Sequence, residues 1–320
     1  IFVVTILLLV YPVPAWAQSE EELKEICGRR NPAQRSIIGG IESPIGKWPW
    51  QIYFRFRIPQ QAEWSCGGTI IGWRWILTAA HCLRENGEIT RILVGSINKE
   101  EVSPDKIVHA KAFISHEEYS PYDPAFENDI ALIELKESLE HGYRVLPVCL
   151  PSMNTTIPED GQVIATGFGQ WNDRSVPGDV SEYGSEVLLE TVIPLIPRDI
   201  CGKRLEANDL GIDTILDTQI CGGSHGHGTG RGDSGGPLVM KAEDDRWFQV
   251  GITSFGNTTD EGLIPQDLLP NPAAVCQKLS PEVPKMHYEK PEGCSFQIHF
   301  GYIFQKFHSR VSAGQRRSLP

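Results

Sequence analysis

Short hydrophobic runs separated by polar turn residues dominate the chain between residues 37 and 256. In residues 51–58, QIYFRFRI, every second side chain is apolar, which is typical of a strand with one buried face. Residues 67–82, GGTIIGWRWILTAAHC, predict a strand, a tight turn, a second strand and one helical turn. Five later segments continue the pattern: DIALIEL, QVIATGFG, EVLLETVIPLI, PLVMKA and WFQVGITSFG. Many short strands joined by turns favour an all-β barrel or sandwich.

The N-terminal residues do not show this strand pattern. Residues 1–17, IFVVTILLLVYPVPAWA, form an apolar run that ends in a small-x-small pattern, as secretory signal peptides do. The run lacks an initiator Met and a basic region, so we expect its beginning to be truncated. Residues 18–36 are polar and charged and are interpreted as a propeptide or light-chain segment. The sequence therefore predicts a secreted, extracellular protein.

The pattern breaks again after residue 256. Residues 257–292 are rich in proline and show almost no alternation, which predicts a surface insertion beside the domain formed by residues 37–256. Residues 293–320 are interpreted as the end of that domain and a tail. A short C-terminal helix is expected in this tail, with its apolar face on Phe304, Phe307 and Val311.

Charge and cysteine content narrow the class of protein. The net charge of −12 argues against nucleic acid as a partner, because nucleic-acid-binding proteins need basic surfaces. No membrane partner is expected. The eight cysteines suggest four disulfides in an exported chain, although their number alone leaves the pairing open. Two NTT sequons, at Asn154 and Asn257, are candidate glycan sites.

Three separate segments carry residue types that together make a nucleophile. His81 lies in TAAHC, Asp129 in ENDIALIEL and Ser234 in GDSGGPL. A serine hydroxyl is a weak nucleophile until an imidazole accepts its proton. The imidazole in turn needs a buried carboxylate that holds its tautomer and stabilises its charged form. The residues in this order predict a Ser-His-Asp catalytic site.

Seven motifs in order, IIGG, CGGTII, TAAHC, DIAL, VCLP, TGFG and GDSGGPL, resemble the trypsin and chymotrypsin family of secreted serine endopeptidases. The resemblance covers most of residues 37–256 and, more faintly, residues 293–312. It implies two six-stranded antiparallel β-barrels with the site between them, and no cofactor. His81 is then the general base and acid, Asp129 its orienting carboxylate, and Ser234 the nucleophile that forms an acyl-enzyme.

The glycine-rich segment around the nucleophile also has implied roles. The backbone N–H groups of Gly232 and Ser234 are expected to form the oxyanion hole. In this family a newly cleaved N-terminal amine pairs with the carboxylate just before the nucleophile, which implies a pair between Ile37 and Asp233. The family usually has Arg or Lys before the new N-terminus, whereas Ser36 stands here. Cleavage after Ser36, or trimming after an initial cut, is therefore expected.

The resemblance also indicates where substrates bind. Trypsin-like members carry Asp six residues before the nucleophile, where this chain has Gly228. Because a buried cation without a partner is costly, large uncharged P1 residues (Phe, Tyr, Leu or Met) are expected instead of Lys or Arg. Gly256 and Gly301 are expected at the pocket wall. The segment formed by Ser254, Phe255 and Gly256 is expected to pair with the substrate backbone.

Matched positions imply a set of disulfides. The implied pairs are Cys66–Cys82, Cys27–Cys149 and Cys201–Cys221. A further family bridge begins four residues before the nucleophile, where this chain has Gly230. Cys276–Cys294 is therefore the pair expected from the two remaining cysteines.

The sequence also allows two alternatives to an active protease. A catalytically silent homologue that acts as a binding protein is the main alternative, favoured by the unusual Ser36 and by the insertion. A second alternative reads Arg231 to Asp233 as an RGD adhesion motif, which would require an exposed carboxylate. The histidines at 225 and 227 are a weak metal signal, and no metal site is predicted. The expected partners are protein or peptide substrates, an activating protease and protein inhibitors, with a monomeric chain.

Overall fold

The computed structural model describes residues 22–30, 41–84, 86–123, 126–151, 155, 157, 158, 160–170, 184–206, 215–224, 228–256 and 274–278. Residues 22–26 are helical (α1), and a second helix, α2, spans Arg198–Glu206. Single 3-10 turns occupy Ala80–Cys82 and Pro104–Lys106. The described strands are β1 Ile41–Glu42, β2 Gln51–Arg57, β3 Trp64–Gly72, β4 Trp75–Thr78, β5 Glu88–Val94, β6 Ile107–Val108, β7 Ala110–Ser115, β8 Ala131–Leu135, β9 Gln162–Gly167, β10 Leu189–Ile196, β11 Gln219–Gly222, β12 Pro237–Lys241, β13 Trp247–Gly256 and β14 Ala274–Lys278.

The first sheet is an antiparallel barrel made from the first half of the chain. Its strands are ordered β6-β5-β2-β3-β4-β8-β7. Only His109 separates β6 from β7, so these two pieces act as one strand that pairs with β5 at one end and with β8 at the other. The chain therefore curls the sheet into a nearly closed barrel of six strands.

The second sheet closes in a similar way. Its order is β1-β10-β11-β14-β13-β12-β9, and β9 pairs again with β10. Six strands thus form a ring, and β1 adds to the edge of β10 through Ile41 and Glu42. Together the two sheets confirm the predicted all-β fold with two antiparallel barrels.

Strand β2 shows how the alternating pattern becomes a packed core. Ile52, Phe54 and Phe56 are between 0% and 1% exposed, as the alternation predicts. Tyr53, on the other face, is also buried and meets Phe168 of the second half edge-to-face, with ring centroids 5.5 Å apart. The end of this second face that carries Tyr53 is therefore not solvated, because it lies where the two barrels meet, whereas Arg57 further along the strand is exposed.

Polar contacts also join the two barrels. Thr166 Oγ1, on β9, donates a hydrogen bond to Gln51 Oε1, on β2, at 2.5 Å, and both residues are buried. The N–H of Gly67, on β3, donates to the carbonyl of Ser234 at 2.8 Å. The candidate nucleophile is therefore held at the boundary between the barrels.

Strand β14 departs from the expected surface insertion. Residues 257–292 were expected to lie outside the sheet, yet β14 pairs with β11 on one side and β13 on the other. The proline-rich surroundings hid this five-residue strand from the sequence pattern. The proposed domain boundaries themselves remain predictions.

Several expectations fall on residues outside the described ranges. These are the signal peptide, the C-terminal helix, both sequons, the His225–His227 pair, Ile37, Gly301 and Cys294. Within the described ranges, no helix is both long and apolar enough to cross a membrane.

Candidate active site

His81 sits in a tight turn that follows β4. The 3-10 turn Ala80–Cys82 begins two residues after this strand ends, and the disulfide Cys66–Cys82 ties it back to β3. Buried residues Ala80 and Cys82 anchor the turn, whereas the His81 side chain is 24% exposed. The imidazole is therefore fixed at its base and accessible at its edge.

The carboxylate of Asp129 contacts His81 at two points. Its Oδ2 lies 2.6 Å from Nδ1 of the ring, and its Oδ1 accepts the backbone N–H of His81 at 2.8 Å. Asp129 is fully buried and lies two residues before β8, which pairs with β4. Burial by itself raises the pKa of Asp129, but the charge of His81 and the hydrogen bonds that it receives bring the pKa below its ordinary value.

Ser254 is a third member of this contact. Its Oγ donates a hydrogen bond to Asp129 Oδ2 at 2.5 Å. The pairing of β13 with β14 shifts register between Thr253 and Phe255, so Ser254 lies at a β-bulge. Bulges re-aim side chains, and here the hydroxyl points at the carboxylate. The sequence placed Ser254 in the substrate-pairing segment but gave no sign of its contact with Asp129.

The turn that carries Ser234 packs against the chain leading to His81. Gly235 has φ +77°, and a Cβ built on it would lie 2.1 Å from Thr78 Oγ1 and 2.5 Å from the carbonyl oxygen of Gly67. Its N–H donates to the carbonyl of Thr253 at 2.8 Å. The residue after Ser234 thus touches the end of β4, three residues before His81, and borders Ser254. The fold brings all three candidate segments to one place.

Asp233 turns toward the protein interior. Its carboxylate oxygens accept the N–H groups of Gly169 and Gly230, each at 2.8 Å. Although the residue as a whole is only partly buried, its carboxyl group packs against Gly167 and Gly169, and burial raises its pKa to about 6. Arg231 is exposed while this carboxylate is not, which disfavours the adhesion interpretation.

Comparisons with known proteins agree with this geometry. The family model described as Trypsin matches residues 37–267, which is most of the chain. The chain belongs to the trypsin family. It is also similar to an ovochymase from Halocynthia roretzi, at 34% identity over 226 residues. The matched region covers 69% of this chain and only 13% of that relative, so the chain spans a small part of the relative's length.

Three disulfides expected from the trypsin family are present. Cys27–Cys149, Cys66–Cys82 and Cys201–Cys221 are all formed. Cys276 lies on β14, but its side chain and Cys294 are outside what the structure describes. The fourth pair therefore stays a prediction.

Gly230 stands where other trypsin-family members have a cysteine, and the surrounding backbone explains why glycine is needed there. A Cβ built on Gly230 would lie 2.4 Å from the carbonyl oxygen of Gln170. Only glycine fits against that backbone, because real Cβ atoms do not approach other atoms so closely. A disulfide could not start from this position unless the loop moved.

The expected pocket residues have varied surroundings. Gly228 is exposed, and a Cβ built on it would meet nothing within 4 Å. Gly256 ends β13, and Phe255 beside it stacks on Phe126 with ring centroids 5.0 Å apart. Phe126 comes three residues before Asp129, so this aromatic pair borders the candidate site. The sequence did not single out Phe126.

One group of potential metal ligands occurs among the described residues. The side-chain ligand atoms of Cys66, His81 and Cys82 lie within 4.8 Å of one another. Both sulfurs belong to one disulfide and therefore offer no thiolate. These three side chains lie close together because the Cys66–Cys82 disulfide holds the turn that contains His81.

Proposed function

We propose that this trypsin-family chain is an active serine endopeptidase. The observation that carries the proposal is the double contact of buried Asp129 with the ring and the backbone of His81. A carboxylate only accepts, so it holds the proton on Nδ1 and leaves Nε2 to act as the base. His81 is then the general base and acid, and Ser234 is the nucleophile.

The proposed reaction passes through an acyl-enzyme. Ser234 Oγ attacks the scissile carbonyl while its proton passes to His81 Nε2, and the imidazolium then protonates the leaving amine. Water repeats the sequence to release the acid. The backbone N–H groups of Gly232 and Ser234 have no acceptor among the described residues, which supports their proposed role in the oxyanion hole. Losing one such donor typically costs about 3–4 kcal/mol of transition-state stabilisation.

An active-site-directed fluorophosphonate tests the enzyme against the silent homologue. The cleaved protein should be labelled, and Ser234→Ala should lose the label, because the reagent needs an activated serine. A Gly142→Ala control should label normally, since a Cβ there would meet nothing within 4 Å. A correctly cleaved and folded protein that never labels would favour the binding-protein alternative.

For specificity, we propose cleavage after large uncharged P1 residues. Gly228 supplies no carboxylate for a basic side chain, and Ser254 to Gly256 lie at the end of β13, where an extended substrate can pair. A peptide library varied at P1 should therefore give products ending in Phe, Tyr, Leu or Met. Predominant cleavage after Lys or Arg would contradict the argument from Gly228.

Activation is proposed to follow cleavage at the start of the protease domain. The new amine of Ile37 would pair with Asp233, whose carboxylate already points inward. A buried carboxylate with a raised pKa is a suitable partner for a cation, because the pair relieves its desolvation. Mass spectrometry of the active form should find Ile37 as the N-terminus.

Secretion is proposed from the apolar run at residues 1–17 and from the disulfides, which persist in oxidising compartments. Protein substrates, an activating protease and protein inhibitors are the proposed partners. Expression of the chain behind an added initiator Met in a secreting cell should release the protein into the medium, with its N-terminus at Gln18.

A further inference from the structure

The segment before the proposed cleavage site is docked on the protease domain by more than its disulfide. Besides Cys27–Cys149, the N–H of Gly28 donates to the carbonyl of Pro147 at 2.9 Å, and the N–H of Trp247 donates to the carbonyl of Gly28 at 3.0 Å. Gly28 has φ +68°, and a Cβ built on it would lie 2.4 Å from the Trp247 carbonyl oxygen. The backbone here is therefore closely fitted to the start of β13.

Arg30 extends this contact into a corner formed by two indoles. The rings of Trp48 and Trp247 are nearly perpendicular, at 88°, with centroids 5.0 Å apart. The guanidinium carbon of Arg30 lies 4.5 Å from the first centroid and 4.1 Å from the second. Both distances are within the range of favourable cation–π contacts.

The charges around the corner suit an arginine. The buried carboxylate of Glu190 accepts a hydrogen bond from Trp48 Nε1 at 2.7 Å and pairs with buried Lys47. Burial lowers the pKa of Arg30 to about 10, and the charge of Glu190 opposes this effect. Arg30 Nη1 is buried without a hydrogen-bond acceptor in the described part of the chain. The two indole faces and the charge of Glu190 thus attract this cation.

We propose that Trp48, Trp247 and Glu190 form an arginine corner, which keeps the N-terminal segment bound through Arg30 after the chain is cut. The segment would then remain a docked subunit even without its disulfide. All proposed cut positions lie between residues 35 and 37, so Arg30 belongs to the N-terminal segment after cleavage. The inference goes beyond the proposed function, since it requires no catalysis by this chain.

Retention of a cut segment tests the proposal directly. The full chain would carry Cys27→Ser and Cys149→Ser to remove the tether, Ser234→Ala to prevent self-digestion, and a site-specific cleavage sequence in place of residues 31–36. After cutting, the segment should co-elute with the protease domain in gel filtration. Arg30→Ala should raise its dissociation constant at least about thirtyfold, which corresponds to about 2 kcal/mol.

Arg29→Ala is the matched control. Arg29 is exposed, and its Nε bonds the carbonyl of Glu25 within the same segment, so its loss should leave the dissociation constant unchanged. Arg30→Lys should fall between wild type and Arg30→Ala, because an ammonium lacks the planar group that stacks on indoles. Equal dissociation constants for the Arg29→Ala and Arg30→Ala proteins, or immediate release with both arginines present, would overturn the proposal.

A second measurement decides the matter if the untethered chain does not fold. In the disulfide-intact, uncut protein, Arg30→Ala should lower Tm, and millimolar methylguanidinium should restore part of the loss by filling the corner. The same compound should not raise the Tm of wild type, whose corner is occupied. Equal effects of methylguanidinium on Arg30→Ala and wild type would count against the arginine corner.

Discussion

The three hydrogen bonds that Asp129 accepts have different roles at the site. Two of them come from His81 and set the orientation of the imidazole, whereas the third comes from Ser254 and acts only on the carboxylate. Removing the contact with Nδ1 of His81 should change which ring nitrogen carries the proton. Removing the third should only loosen the carboxylate.

Asp129→Asn should therefore lower kcat by roughly 10⁴-fold, because an amide that donates to Nδ1 leaves the proton on Nε2. Ser254→Ala should lower kcat by only about tenfold, which corresponds to the net worth of one hydrogen bond. Steady-state kinetics on one peptide substrate measure both. Comparable losses in the two variants would mean that Ser254 does more than support Asp129.

Asp233 predicts a pH-dependent stability of the uncleaved form. Its folded pKa of about 6 lies above its unfolded value of 3.8, so the folded state binds the extra proton between these values. The stabilisation is complete below the unfolded pKa and is lost as pH rises through 6. Urea unfolding between pH 4 and 7 should show the free energy of unfolding of wild type falling relative to Asp233→Asn, by on the order of 2 kcal/mol.

The cleaved form supplies the contrast for this measurement. If the amine of Ile37 pairs with Asp233, the carboxylate becomes favoured, and the loss between pH 4 and 7 should disappear or reverse. An identical pH dependence in cleaved and uncleaved protein would argue against the proposed pair.

Among the secondary-structure elements, the turns around β12 and β13 decide where the candidate nucleophile, Ser234, lies. Gly235 allows the Ser234 turn to lie against β3 and the end of β4, and the bulge at Ser254 turns a hydroxyl toward the residues before β8. The glycine and the bulge are local features, but each positions a residue of the site only because another part of the chain packs against it.

Gly235→Ala should destabilise the protein by about 2–4 kcal/mol, because its Cβ would overlap Thr78 and its φ is +77°. Gly142→Ala, in open space, should change the free energy of unfolding by less than about 0.5 kcal/mol. Chemical denaturation of the two variants measures the difference. A neutral Gly235→Ala would show that the turn can move away from β4.

Across the whole molecule, the site depends on two barrels that are joined by buried polar contacts. The buried hydrogen bond from Thr166 to Gln51 is one, and the bond from Gly67 to the Ser234 carbonyl is another. His81 and Asp129 belong to the first barrel and Ser234 to the second. Any loosening of the boundary should therefore reduce activity.

Thr166→Val should cost about 1–3 kcal/mol, because it leaves Gln51 Oε1 buried without its donor. Adding Gln51→Met should recover part of this loss, since removing both partners avoids the unpaired group. A double-mutant cycle on the free energy of unfolding measures the coupling. Additive losses would show that the two side chains do not depend on each other.

Local patterns and motifs were enough to predict the strand-rich fold and the order of the three candidate catalytic residues, and the family resemblance implied the three disulfides that are formed. The sequence did not indicate the Ser254 contact, β14, the steric need for Gly230 or the arginine corner. These features arise between residues far apart in the chain, such as Ser254 and Asp129 or Arg30 and Trp247. Local periodicity carries no information about such pairs, so only the packing of the two barrels decided them.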